Sequence, residues 1–455
     1  MLFSRNSHIY VYQAKTAEKQ KENREEYRVF FLQVQMLCAI MRVSTSGYDR
    51  WRGRGNMNES IKAVHLTHTS GALSDVSAFG SSETAHAVSF HCGVPSYEPT
   101  PLADLRHLAA GLGLGRLAVK DESVRFGLSS FKGLGASYAV ARYLSQYLGL
   151  SEGEMTYEHL TQPEYRAQLR KVTLVTATDG NHGRGIAWTA KIFGLFAHVF
   201  MPKGSSAERL ANIRGLGAEA SFTTYNYDDT VRHAANLAKE KGWVLVQDTA
   251  FEGYTEIPLW IMQGYTTLAH EAAEQYGEAP THIFLQAGVG SLPGAITGYF
   301  AAHCGAERPV ITIVEPNRAD CIYRTAAAND GTPHFVTGEI SSIMAGLSCG
   351  EPNPIAWEIL RDHADHFVSV PEWVAAKGMR ILGNPIGADP RLVSGESGAV
   401  TTGLVAELMQ NRSLDYLRDR IGLGRDSRIL CISTEGDTDR ANYRRVVWDG
   451  LYPSY

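Results

Sequence analysis

172-VTLVTATDGNHGRGIAWTAKIFG-194 reads as three pieces in a row. Residues 172–177 are a short apolar, β-branched run of the kind that forms a strand buried on both faces. A turn of small and polar residues follows, and from Gly183 the apolar positions return at helical spacing. A strand that ends in a polar, glycine-rich turn and runs into a helix is half of a βαβ unit. The same grammar recurs outward. Further strand candidates are 116-RLAVK-120, 197-AHVFM-201, 219-EASFT-223, 243-WVLVQ-247, 282-HIFLQA-287, 310-VITIVE-315 and 428-RILCIS-433. Helical patterns over 131–144, 206–217 and 228–242 alternate with them. The expected fold class is therefore α/β, with mostly parallel sheets covered by helices on both faces. The strands fall into two groups, 172–247 and 282–433.

Composition agrees with this reading. The chain has 455 residues, long enough for two to four domains, with 44 Gly and 17 Pro. A glycine surplus without a proline surplus suits many tight strand-to-helix turns. A formal net charge of −5 gives no basic footprint for nucleic acid. No stretch reaches the ~18 consecutive apolar residues of a membrane span. Six scattered cysteines without a CxxC spacing point to a reducing cytoplasm. Cys321 and Cys349 are the pair whose loops could approach each other. Residues 14–28 are charge-dense and predicted helical, and residues 1–85 read as an extension. No metal site is expected, because His65/His68 and His363/His366 lack a third ligand.

Ligands of open parallel sheets sit at the carboxyl ends of strands, where helix N-termini point. Three turns there carry chemistry. In 120-KDESVRFGLSSFKGLGASYAVARYL-144, Ser129 or Ser130 would cap a helix with Lys132 in its first turn. The helix dipole should lower the Lys132 pKa and free the amine for Schiff-base chemistry. Gly133 and Gly135 suggest that something approaches closely. In 176-TATDGNHGRG-185, Asp179 and Asn181 are presented from the turn, and the dipole should hold Asp179 low. In 286-QAGVGSLPGAITGYF-300, Gly288, Gly290 and Gly294 leave backbone N–H groups free for a phosphate. That last turn, with Glu315 at the end of the next strand, also nearly matches a dinucleotide fingerprint. An NAD-dependent dehydrogenase therefore stands as a rival on this turn alone. The 394-SGESGAV-400 turn reads equally well as an ordinary helix start or as one facing a cofactor. The last strand ends in 433-STEGDTD-439, which offers the hydroxyls of Ser433, Thr434 and Thr438.

Taken in order, SSFKGLGA, TDGNHGRG and a glycine-rich phosphate turn resemble a pyridoxal-phosphate enzyme of fold type II, the tryptophan-synthase-β-like family. Longer phrases narrow the resemblance to the diaminopropionate ammonia-lyases: 120-KDESVRFGLSSFK-132, 247-QDTAFEGYTEIPLWIMQGY-265, 314-VEPNRADC-321, 343-IMAGLSCGEPNP-354 and 434-TEGDTD-439. The resemblance spans about residues 87–450. It implies a two-domain fold with 86–136 and 256–455 as the larger, cofactor-binding domain and 137–255 as the smaller.

It implies pyridoxal 5′-phosphate held covalently by Lys132, with Asn181 on the ring oxygen. Gly288, Gly290 and Ser291 would hold the phosphate, and Thr434 the pyridine nitrogen, with Ser433 or Thr438 as substitutes. Lys132, Asp179 and Asp248 would be the catalytic groups, the two carboxylates marking a diamino rather than a hydroxy substrate. The implied reaction takes 2,3-diaminopropionate, D or L, to pyruvate and two ammonia in a homodimer. A serine/threonine dehydratase or a cysteine-synthase-like β-replacement enzyme is the nearest alternative.

Overall fold

Two separate sheets carry the fold in a computed structural model that describes residues 60–66, 73–338 and 340–454. The predicted helix over 14–28 lies outside the described residues. Among those described, the strands in chain order are β1 (Lys62–His65), β2 (Leu102–Asp104), β3 (Arg116–Asp121), β4 (Thr173–Ala177), β5 (Phe196–Met201), β6 (Glu219–Phe222), β7 (Val244–Leu245), β8 (His282–Gln286), β9 (Val310–Pro316), β10 (His366–Val370) and β11 (Arg428–Ser433). The larger sheet runs β1-β10-β9-β8-β11-β3-β2 and the smaller β6-β5-β4-β7. Every pairing in the smaller sheet is parallel, as are β10-β9, β9-β8, β8-β11 and β11-β3. β1 and β2 pair antiparallel to β10 and β3.

All five residues of β8 and of β10 are buried, which explains why these runs lack the alternation of a half-exposed strand. The eight strands anticipated from pattern are all present, with ends shifted by a residue or two. β1, β2 and β10 were not anticipated. Ser60–Tyr455 form one compact unit, so β1 and the Ser81–Cys92 helix, both of which begin before residue 85, belong to it.

Gly133 and Gly135 serve packing, not a ligand. A Cβ on Gly135 would lie 2.6 Å from Tyr265 Cε1 and 2.9 Å from the Ile261 carbonyl, and one on Gly133 would meet Leu128 and Phe126. The Lys132–Leu148 and Glu256–Tyr276 helices therefore touch almost backbone to backbone.

A buried ionic cluster fixes the approach to that contact. Lys120 Nζ donates to Glu271 Oε2 at 2.6 Å, and Arg125 donates to both oxygens of Glu271 at 2.8 and 2.7 Å and to Glu122. All four side chains are essentially shielded from water, so each charge depends on the others. The cluster ties the 122–131 segment, which delivers Lys132, to the Glu256–Tyr276 helix.

Candidate active site

Carboxyl ends of strands from both sheets open on one cleft. Lys132, Asp179, Asn181, Asp248, Gly288, Gly290, Ser291 and Thr434 all line it. Ser433 and Thr438 do not. Ser433 is turned to Ser394, its hydroxyl donating to that of Ser394 at 2.8 Å.

Lys132 is the first residue of its helix, but neither Ser129 nor Ser130 caps it. The cap position is Phe131, and Ser129 sits in the left-handed region at φ 53°. The segment is held instead by the turn after β11: Phe131 N donates to the Thr434 carbonyl at 3.2 Å and Gly436 N to that of Ser129 at 3.0 Å.

The expected lowering of the Lys132 pKa is reversed. Burial does work against the ammonium, but Asp248 Oδ2 at 2.5 Å outweighs it, with Tyr265 adding, and the amine is held above its ordinary value. A carboxylate in contact exceeds a helix dipole of about half a charge. Burial likewise opposes the Asp248 carboxylate, yet Lys132 and then His182 bring it down to about 2. His182 donates from Nε2 to the Val246 carbonyl at 2.8 Å, which leaves Nδ1 facing Asp248 at 3.8 Å.

Asp179 also departs from expectation. Burial pushes its carboxyl up to about 7, with Arg209 pulling it down and Asp248 pushing it further up. Desolvation wins over the helix start. The turn itself is built by Thr178, whose hydroxyl accepts Gly180 N at 2.9 Å and Gly183 N at 3.1 Å. Gly180 has φ 150°, and a Cβ there would lie 2.8 Å from Arg209 Cδ.

Gly290, at φ 101°, precedes the Ser291–Cys304 helix, whose first N–H groups face the cleft with no intrahelical acceptor. A Cβ on Gly288 would stand 3.1 Å from the Gly346 carbonyl. Ser291 Oγ donates to the Asp248 carbonyl at 2.5 Å and accepts from Asn353 Nδ2 at 2.8 Å. Gln286 Nε2 donates to Thr434 Oγ1 at 2.9 Å. Three buried atoms of cleft residues, His182 Nδ1, Gln286 Oε1 and Ser397 Oγ, have no hydrogen-bond partner among the described residues. A lysine, a helix N-terminus and unpaired polar atoms in one cleft fit a phosphorylated aldehyde cofactor.

The dinucleotide reading fails here. Glu315 accepts Ile322 N at 3.0 Å and Tyr323 N at 2.6 Å, so it caps the Cys321–Ala328 helix and is absent from the cleft. Cys321 and Cys349 are buried free thiols, not a cross-linked pair. Reasoning from sequence missed Tyr227, Cys349 and Glu435 in the cleft. Glu435 had a signal, since it follows Thr434 in a turn already singled out for its hydroxyls. Ser397 enters from the 394–400 turn, which both starts the Glu396–Gln410 helix and faces the cleft.

This arrangement defines a pyridoxal-phosphate-dependent enzyme of fold type II. The chain belongs to that family, whose model, described as "Pyridoxal-phosphate dependent enzyme", matches residues 94–424. Relatives at about half identity are diaminopropionate ammonia-lyases. One from Salmonella typhimurium is 51% identical over 368 residues, 80% of this chain and 91% of that protein. The crystal structure of the selenomethionine-labelled holo enzyme from Escherichia coli superposes with a TM-score of 0.81 at 47% identity, covering 87% of this chain and 98% of that one. The same enzyme in complex with an aminoacrylate–pyridoxal-phosphate azomethine reaction intermediate gives a TM-score of 0.79 at 45% identity over the same shares.

Proposed function

We propose that this chain converts 2,3-diaminopropionate and water to pyruvate and two ammonia by pyridoxal-phosphate-dependent α,β-elimination. The observation that carries this reading is the contact between Lys132 and Asp248 in a cleft that also holds Asp179. Lys132 would hold the cofactor, Asn181 its ring oxygen, Thr434 its pyridine nitrogen, and the Gly288–Gly290 turn with Ser291 its phosphate. When bound, the cofactor supplies an electron sink for the charge left at substrate Cα.

The remaining work falls to side chains. Once the substrate amine has displaced it, Lys132 Nζ takes the Cα proton, and Asp248 stabilises the ammonium that forms. Asp179, poised near neutrality, serves as the base for the opposite isomer. A β-amine leaves only as ammonia, so it must carry a proton, and the cleft carboxylates hold it as ammonium until the C–N bond breaks. The unsaturated amine that remains takes up water to give pyruvate and the second ammonia. A hydroxy-amino-acid dehydratase has no need of two carboxylates around the leaving group.

Buried free thiols support a reducing cytoplasm as the working compartment. No helix among the described residues is long and apolar enough to cross a membrane. A homodimer, and a division into 86–136 with 256–455 against 137–255, complete the proposal. The test is pyruvate and ammonia release from D- and L-diaminopropionate, with serine as control, before and after Lys132→Ala. Loss by about three orders of magnitude or more is expected on removing a covalent group. Equal turnover of serine would favour the dehydratase reading.

A further inference from the structure

Glu435 is a cleft carboxylate that none of these roles uses. It is 2% exposed, and both its oxygens are engaged. Oε1 accepts the Ser397 amide, at the start of the Glu396–Gln410 helix, at 3.2 Å, and Oε2 accepts from Asn181 Nδ2. The backbone is held as well. The Glu435 carbonyl accepts Gly395 N at 2.9 Å, and Glu435 forms a bridge with Ser130, two residues before Lys132. Gly395 packs so closely that a Cβ on it would lie 2.9 Å from Glu435 Cγ.

A carboxylate fixed in this way decides which end of Asn181 faces it. An ionised carboxyl only accepts, whereas a side-chain amide has a donor end with two N–H groups and an acceptor end. Nδ2 must therefore face Glu435, with Oδ1 turned away. One N–H is used by Glu435 and the second is left for another acceptor.

We infer that Glu435 is a positioning residue that fixes the Asn181 amide so that its free N–H, and not its carbonyl, meets the ring oxygen of the cofactor. The inference rests on the role of Asn181 proposed above. Without Glu435 the amide can turn over and set Oδ1 against that oxygen, acceptor against acceptor. Glu435 then acts on the cofactor only through Asn181.

The test is a double-mutant cycle of Glu435→Ala and Asn181→Ala with two readouts: pyridoxal-phosphate affinity, and the pH at which the visible absorbance of the lysine-bound cofactor changes. Each single variant is expected to weaken cofactor binding roughly tenfold, the effect of one charge-assisted hydrogen bond. Each should move the absorbance transition by about one pH unit in the same direction. The double variant should match Asn181→Ala alone. Glu435→Gln, close in size, keeps its one acceptor for the Ser397 backbone amide and turns its own NH2 group to Asn181, so it should reproduce the Glu435→Ala spectrum while leaving the thermal midpoint of the cofactor-free protein unchanged.

Additive effects in the double variant would overturn the inference. So would a lowered midpoint in Glu435→Gln with an unaltered spectrum. If the unsubstituted protein forms no visible band with pyridoxal phosphate, the proposed function falls too. With the band present and the effects additive, this inference alone fails.

Discussion

Asp248 Oδ2 and Lys132 Nζ stand 2.5 Å apart although 116 positions separate them and they enter from the ends of different sheets. The contact joins the turn after β7 to the helix that follows β3. It sets the protonation of both groups.

Asp248→Asn should destabilise the cofactor-free protein most near neutral pH. The lowered Asp248 pKa contributes stability that is present above its ordinary value and is lost as pH falls through about 2. The raised Lys132 pKa contributes below its ordinary value and is lost at more alkaline pH. Urea unfolding at pH 7 is expected to show a loss of about 2 kcal/mol, shrinking as the medium is acidified.

Asp179→Asn should separate the two isomers of diaminopropionate. Turnover of the isomer that relies on Asp179 is expected to rise as pH passes through about 7 and to fall some 10²–10⁴-fold in the variant. The other isomer should lose less, since for it only the hold on the leaving β-ammonium is weakened. Equal losses for both would show that Asp179 does not work on one side of the substrate alone.

Gly288→Ala would press a methyl group against the Gly346 carbonyl at 3.1 Å and Leu347 Cα at 3.2 Å, and neither backbone atom can swing aside. The expected cost is about 1–3 kcal/mol of stability, with weaker cofactor binding alongside. Denaturant midpoints and a pyridoxal-phosphate titration would check both.

Glu271→Ala strands Lys120 and Arg125 without their shared partner in the interior. Removing one member of such a cluster costs about 3–5 kcal/mol. Calorimetry should show a large fall in midpoint, and Glu271→Gln a smaller one.

Much of this site was legible because Asp179, Asn181, Gly288–Ser291 and Thr434 lie in or at the end of turns that directly follow strands, and Lys132 opens the helix that comes after β3. There the local sequence advertises both a chain reversal and a ligand edge. Tyr227 and Cys349 carry no such mark, since one opens a helix and the other lies in the loop before the Pro354–His363 helix, and only tertiary packing turns them inward. β10 was missed for a related reason: His366 and Ser369, buried by neighbouring strands, interrupt its apolar run. The two reversed pKa directions have different causes, Asp248 for Lys132 and burial for Asp179, and both arise only on folding. A helix dipole can be read locally, but burial and the arrival of Asp248 beside Lys132 belong to the assembled cleft.

The larger sheet ends in antiparallel strands of four residues at β1 and three at β2, flanking a parallel centre. Edges that short offer few free N–H and C=O groups to another chain. The sheet therefore resists growing into its neighbour by strand addition. Backbone pairing along these two edges could bury only a few residues of a second chain.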